Sequence, residues 1–159
     1  MEDKIKKVML SDAIGSRYKR IREMMKNEEF FKDKLERQHL CEISALILAD
    51  YKEAGFVNLI RMNRNDNFLF LDMVILEEYR NKGLGKEVFK ILQMRGFYNL
   101  IFAAANVNNI GANKTAEEVC LKVGTINEDN IYLVQKERYT EFISGNYLER
   151  IKKHERILV

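Results

Sequence analysis

The chain has 159 residues, of which 47% are apolar and 32% charged, with a formal net charge of +3. That length suits one domain with one sizeable core, so residues 1–159 are read as a single domain. The charge is too mild, and too evenly interspersed, for a nucleic-acid groove, and no apolar run approaches the roughly 20 residues that cross a bilayer as a helix, so neither nucleic acid nor membrane is expected as a partner.

In chain order, residues 5–10 read as a short strand. Ser11 or Asp12 can then cap a helix in which Ile14, Tyr18, Ile21 and Met25 recur at helical spacing. Glu28–Gln38 reads as a second helix carrying Phe30, Phe31 and Leu35. Ile43–Leu48 and Phe56–Met62 read as strands of a hairpin with its turn at Asp50–Gly55. After the polar turn Asn63–Asn67, Phe68–Leu76 is apolar except at Asp72, the pattern of a central strand covered on both faces. A charged turn leads to a helix from Leu84 to Met94, with Leu84, Val88, Ile91 and Leu92 on one face and Gly96 at its end. Leu100–Ala105 reads as a strand and Asn106–Asn113 as a loop. A helix follows over Lys114–Val123, capped by Asn113 and Gly124. Ile131–Gln135 reads as a late strand, and residues 137–159 as partly helical and highly charged. This order predicts an α/β sandwich around a mixed sheet, with a right-handed parallel crossover across Phe68–Ala105.

The turn after the central strand, Arg80-Asn81-Lys82-Gly83-Leu84-Gly85-Lys86, combines two glycines with three cationic side chains at a helix N-terminus. Such a turn suits a phosphorylated ligand, because glycine admits close backbone approach and the first helical N–H groups point outward. Two familiar loops fail on named residues. The dinucleotide fingerprint G-x-G-x-x-G has Val88 where its third glycine belongs. The P-loop has Arg80 at its first glycine and Glu87 where Ser or Thr should follow the lysine.

The pattern R-x-x-G-x-G does fit, and with it the chain resembles the GNAT superfamily of acetyl-CoA-dependent N-acetyltransferases. Asn113-Lys114-Thr115-Ala116-Glu117-Glu118-Val119-Cys120-Leu121-Lys122-Val123-Gly124 also resembles the family segment N-x-x-A-x-x-[LV]-Y-x-K-x-G. The resemblance spans roughly Glu42 to Lys136. It implies a three-layer α/β fold: a mixed, mostly antiparallel sheet with a splayed central parallel strand pair and helices on both faces. It further implies that acetyl-CoA lies in the splay. The pantetheine arm would pair with Val74, Ile75 and Leu76, and the pyrophosphate would sit on Arg80, Asn81, Lys82, Gly83, Leu84, Gly85 and Lys86. Asn106 and Asn113 would contribute from the opposite lip, with a helix cap as the other reading of Asn113. Cys120 stands where many relatives have the tyrosine assigned as general acid, and Glu77 and Thr125 depart from a common proline and phenylalanine.

Acetyl transfer to an amine needs a base, a polarised thioester carbonyl and protonation of the departing thiolate. A backbone N–H near Ile75 or Leu76 could polarise the carbonyl. Asp72, the one charged residue in its strand, is the candidate base, against a structural carboxylate paired to a cation. Cys120 is the candidate acid, against a small core residue, with water or Tyr132 as substitutes. The expected reaction is transfer of acetyl from acetyl-CoA to a primary amine. The alternative is a GNAT-fold acyl-CoA-binding module without turnover. The acceptor is left open, to be chosen by residues 11–40, the Asp50–Gly55 turn and the C-terminal segment.

His39 and His154 lie in no ligand cluster, so no metal is expected. Two cysteines, Cys41 and Cys120, make no disulfide framework, and Met1-Glu2-Asp3-Lys4 is followed by no apolar stretch of a secretory leader. A cytoplasmic protein is therefore expected. Packing of Tyr139–Val159 in trans leaves a homodimer open.

Overall fold

The computed structural model describes residues 4–12, 19–21, 23 and 41–153. Seven strands make one sheet: β1 (Val8–Asp12), β2 (Cys41–Ala49), β3 (Lys52–Ile60), β4 (Phe68–Ile75), β5 (Leu100–Asn106), β6 (Leu121–Ile126) and β7 (Asp129–Leu133). Their order is β1-β2-β3-β4-β5-β7-β6. Every pairing is antiparallel except β4 with β5. Among the described residues, four α-helices with defined bounds accompany the sheet: α1 (Leu84–Met94), α2 (Ile110–Val119), α3 (Tyr139–Ser144) and α4 (Tyr147–Lys152). Of the two helices expected before β2, Lys19–Ile21 and Glu23 are helical, and the remainder lies outside the described residues.

The sheet is covered on both faces. Leu84, Val88, Phe89 and Leu92 of α1, with Ala116 and Val119 of α2, pack on Ala45, Ile47, Val57, Leu59, Leu69 and Ile101. Phe142, Tyr147 and Ile151 of α3 and α4 pack on Phe68, Phe70, Phe102 and Leu133 of the other face. On that second face Ile21 caps a smaller cluster of Leu46, Phe56 and Val74.

Several expected boundaries move for identifiable reasons. The hairpin turn is Asp50–Tyr51 rather than Asp50–Gly55. Both residues have positive φ, 48° and 69°, as a two-residue hairpin turn that matches the strand twist requires. Gly55 is instead a strand residue whose missing Cβ leaves room for the Val74 carbonyl; a Cβ there would come within 2.0 Å of that oxygen. The helix expected over Lys114–Val123 runs Ile110–Val119, capped by the Asn109 side chain accepting from the Ala112 N–H at 3.1 Å. The chain then turns directly into β6, which the sequence reading lacked. Gly124 is therefore a strand residue, seated under the Leu148 side chain, where a Cβ would stand only 3.1 Å from both Leu148 methyl carbons. The first strand is Val8–Asp12, a few residues later than expected, and the last is Asp129–Leu133 rather than Ile131–Gln135.

Candidate functional site

β4 and β5 begin as neighbours and then part. Their parallel register runs from Phe68 opposite Leu100 to Leu71 opposite Ala103 and stops. β4 continues to Ile75, held only by β3, and β5 continues to Asn106, held only by β7. Between them lies a V whose walls are the backbone edges of Asp72–Ile75 and Ala104–Asn106. The Leu76 N–H donates to the Ala54 carbonyl at 2.8 Å, so Leu76 faces β3, and strand alternation turns Val74 the same way. The amides that face the V are those of Met73 and Ile75. Of the three expected pairing residues, Ile75 has the required direction, Val74 and Leu76 do not, and Met73 was missed. Direction alternates with period two, so it needed the β3 register to be assigned.

The turn from β4 to α1 closes the wide end of the V. Glu77–Tyr79 make a single 3₁₀ turn. Arg80 then folds back, its Nε donating to the Ile75 carbonyl at 2.8 Å, which ties the loop to the last cleft-facing residue of β4. Asn81 and Gly83 both have positive φ, 62° and 79°. Gly83 is the N-cap of α1 and offers no capping side chain, so the first helical N–H groups are left for a ligand. Leu84 is 2% exposed, its side chain anchoring the helix in the core while only its backbone serves the turn. A Cβ on Gly85 would stand 3.2 Å from Thr115 Cγ2, so glycine here permits the close approach of α1 and α2. Lys82 Nζ lies 5.9 Å from the centre of the Tyr79 ring, and Lys86 Nζ lies 3.6 Å from Glu118 Oε2. The outer flank of the turn borders a cleft of about 510 Å³ lined by Ile5, Lys6, Val8, Lys82, Gly83, Lys86 and Glu87.

The opposite lip is built around Asn113. Its Nδ2 donates to the carbonyls of Asn106 and Asn109, each at 2.8 Å. Its Oδ1 accepts from Asn130 Nδ2 at 2.9 Å and from the Tyr132 hydroxyl at 2.7 Å. Four bonds use the full capacity of an amide. Asn113 is thus neither the helix cap nor a hand held out to a ligand. It is a staple that fixes the Asn106 turn and the start of α2 onto β7. Asn106 is exposed at the tip of the β5 wall, its Oδ1 accepting from the Asn108 N–H at 3.0 Å.

No protein-family model matches the chain, and no curated protein matches it. Solved structures do. A spermidine N-acetyltransferase from Vibrio cholerae, in complex with CoA and spermine, superposes with a TM-score of 0.60 at 16% identity over 81% of this chain and 96% of that one. The RimL ribosomal alpha-N-protein acetyltransferase in complex with coenzyme A gives 0.59 at 12% identity, over 81% and 94%. A probable acetyltransferase gives 0.50 at 19% identity, over 69% and 71%. The chain has the GNAT acetyltransferase fold.

Within that fold the two catalytic candidates fare differently. Asp72 is the first β4 residue beyond the last β4–β5 pair, 8% exposed at the apex of the V. Cys120 follows the last residue of α2 with extended backbone and is 6% exposed within the apolar core under α1 and α2. Burial pushes its thiol up to about 12, against a small opposing pull from Lys136. A thiol held that firmly is a poor proton donor to a departing thiolate, and the core reading of Cys120 prevails. Tyr132, the substitute, is buried on β7 with its hydroxyl given to Asn113 and lying 3.3 Å from Glu117 Oε1. Burial, then the Glu117 charge, pushes it up to about 12 as well. Among the described residues no group of His, Cys, Asp and Glu is arranged to hold a metal ion, and no helix is long and apolar enough to cross a membrane.

Proposed function

We propose that the chain is an N-acetyltransferase that moves acetyl from acetyl-CoA to a primary amine. The observation that carries this reading is the V between β4 and β5, with a basic, glycine-bearing helix start at its wide end. The V offers unpaired strand edges to a ligand arm that carries amides, in the manner of an added strand. The Met73 and Ile75 amides would receive the pantetheine. The N–H groups from Gly83 to Lys86 would receive the pyrophosphate, with Arg80, Lys82 and Lys86 supplying charge and Asn81 shaping the turn.

The chemistry then needs little beyond placement. Asp72 takes a proton from the ammonium of the acceptor, and the neutral nitrogen attacks the thioester carbonyl carbon. Negative charge growing on the carbonyl oxygen is met by a cleft-facing N–H of β4. The C–N bond forms as the C–S bond breaks, and the second proton of the nitrogen passes to the CoA thiolate through water. This route asks nothing of Cys120.

The second reading, a CoA-binding module without turnover, is favoured by the inert setting of Cys120. Incubation with acetyl-CoA and a panel of primary amines separates the two, because only the enzyme releases free CoA thiol in step with acetylated amine. Thermal stabilisation by CoA without thiol release would leave the module. A structural neighbour is dodecameric, which supports self-association of this chain, and a buried free thiol suits a reducing, cytoplasmic setting.

A further inference from the structure

We infer that the cleft on the outer flank of the basic turn is a second phosphate seat, separate from that of the pyrophosphate, and that it takes a phosphate monoester dianion between Lys6 and Lys82. The inference rests on the donor reading above for the pyrophosphate. It adds a second anionic group and a residue, Lys6, that lies outside the Glu42–Lys136 span of the family resemblance.

The cleft opens where α1 and β1 part. Just past the C-terminal end of α1, Arg95 Nη2 donates to the Leu10 carbonyl at 3.3 Å, and Arg95 Nη1 lies 3.5 Å from Asp12 Oδ1. At the N-terminal end of α1, the segment leading into β1 and the basic turn enclose a space of about 510 Å³, a size suited to a small-molecule site. Ile5 and Val8 give it an apolar wall, packed against the sheet core behind them. The V lies on the other flank of the turn, between β4 and β5, and β4 is three positions from β1 in the sheet order. A ligand that fills the V and sets a pyrophosphate on the turn therefore emerges toward this cleft.

Its charge selects the ligand class. Three lysines line it against one acid, Glu87. Glu87 pairs with Lys90 at 3.6 Å and Lys86 with Glu118 at 3.6 Å. Lys6 and Lys82 enter no ion pair among the described residues. Lys6 is held in place through its backbone: the Asp50 carboxylate accepts from the Lys6 N–H at 3.0 Å and the Lys7 N–H at 2.8 Å, and the Asp50 N–H donates to the Lys7 carbonyl at 2.8 Å. Lys7 turns away, its Nζ donating to the Tyr51 hydroxyl at 3.2 Å, so one lysine of the pair serves the cleft. Two like charges brought to one cleft repel until an anion lies between them. A phosphate monoester is doubly ionised at neutral pH and matches both, whereas a carboxylate or a phosphodiester, with a single charge, matches one. Such a monoester comes either as the 3′-phosphate of the bound CoA or on a separate phosphorylated molecule, and the experiment separates these sources.

The test measures CoA and dephospho-CoA (which lacks the 3′-phosphate) by calorimetry, and inorganic phosphate by thermal shift, on wild type, Lys6→Ala and Lys7→Ala. If the monoester is the donor's own, wild type binds CoA about tenfold more tightly than dephospho-CoA, the scale of one charge-assisted hydrogen bond. Lys6→Ala then abolishes the difference by weakening CoA alone, and Lys7→Ala keeps it. If the monoester comes separately, the two donors bind alike, and inorganic phosphate raises the Tm of the dephospho-CoA complex of wild type but not of Lys6→Ala. The seat is overturned, and the donor reading stands, if the two donors bind alike and phosphate acts equally on wild type and Lys6→Ala or on neither. It is also overturned if Lys6→Ala and Lys7→Ala reduce the advantage of CoA equally, since net charge then accounts for the effect. If wild type binds neither CoA nor dephospho-CoA, the donor reading fails and takes the seat with it.

Discussion

The hydroxyl of Tyr132 on β7 donates to Oδ1 of Asn113 on α2 at 2.7 Å, joining the strand beside β5 to the helix that follows β5. Because Asn113 also holds the carbonyls of Asn106 and Asn109, this bond sets where the β5 wall of the V ends. Asn113→Ala leaves the Tyr132 hydroxyl and Asn130 amide without their shared acceptor. A loss of about 1–3 kcal/mol of stability is expected, measured by denaturant unfolding, together with weaker CoA binding. Tyr132→Phe removes one bond of the set and should cost less.

Gly83 carries a φ of 79° at the start of α1. Gly83→Ala forces a side chain into the left-handed region at about 1–2 kcal/mol, and the strain falls on the N–H groups that would hold the pyrophosphate. Weaker CoA binding by calorimetry is expected, with Gly83→Asn milder because asparagine tolerates this conformation.

Arg80 combines in one side chain the bond to the Ile75 carbonyl and a positive charge at the glycine-bearing turn proposed to hold the pyrophosphate. Arg80→Ala should raise the Kd for CoA about tenfold, the scale of one charge-assisted hydrogen bond. The gap between variant and wild type should narrow as salt screens the charge. Equal affinity at low salt would rule out a direct role for the guanidinium.

Alkaline pH should destabilise the fold through Cys120. Its ordinary value is 9.0 and burial raises it to about 12 in the folded chain. The folded state therefore holds the thiol proton over a range where the unfolded chain releases it. The contribution is whole below pH 9 and is lost as pH rises toward 12, with a limiting slope of about 1.4 kcal/mol per pH unit from this group. Tyr132, raised from 10.0 to about 12, adds a loss of the same sign starting higher. Cys120→Ala should show a shallower decline above pH 9 in denaturation midpoints and should keep acetyl transfer.

Asp72→Asn keeps the size of the buried side chain and removes its basicity. Turnover should fall about 100-fold or more, within the range ascribed to general base catalysis, with CoA affinity retained. An unchanged pH–rate profile would remove Asp72 from the mechanism.

Much of the architecture around the candidate site was legible because its determinants are local. An apolar run, a turn with two glycines and a helical apolar stripe lie within Phe68–Met94, and each follows from steric and periodic rules acting over a few residues. The helix from Leu84 to Met94 came out with the expected bounds. The family-like segment from Asn113 to Gly124 was legible as a pattern but not as a structure. Taken as one helix, it in fact crosses from α2 into β6, so its asparagine is a staple and its glycine a strand residue.

The sequence by itself determined the mixed α/β architecture, the central strand and the basic glycine turn at a helix start, because those depend on neighbours along the chain. Only the tertiary structure decided that Met73 and Ile75 face the V, that Asn113 is fully engaged, that Cys120 is sealed in the core, and that Ile5, Lys6 and Val8 border the basic turn. Strand register is non-local, and shifting it by one residue reverses every side chain and every amide; no run of residues read alone contains that information.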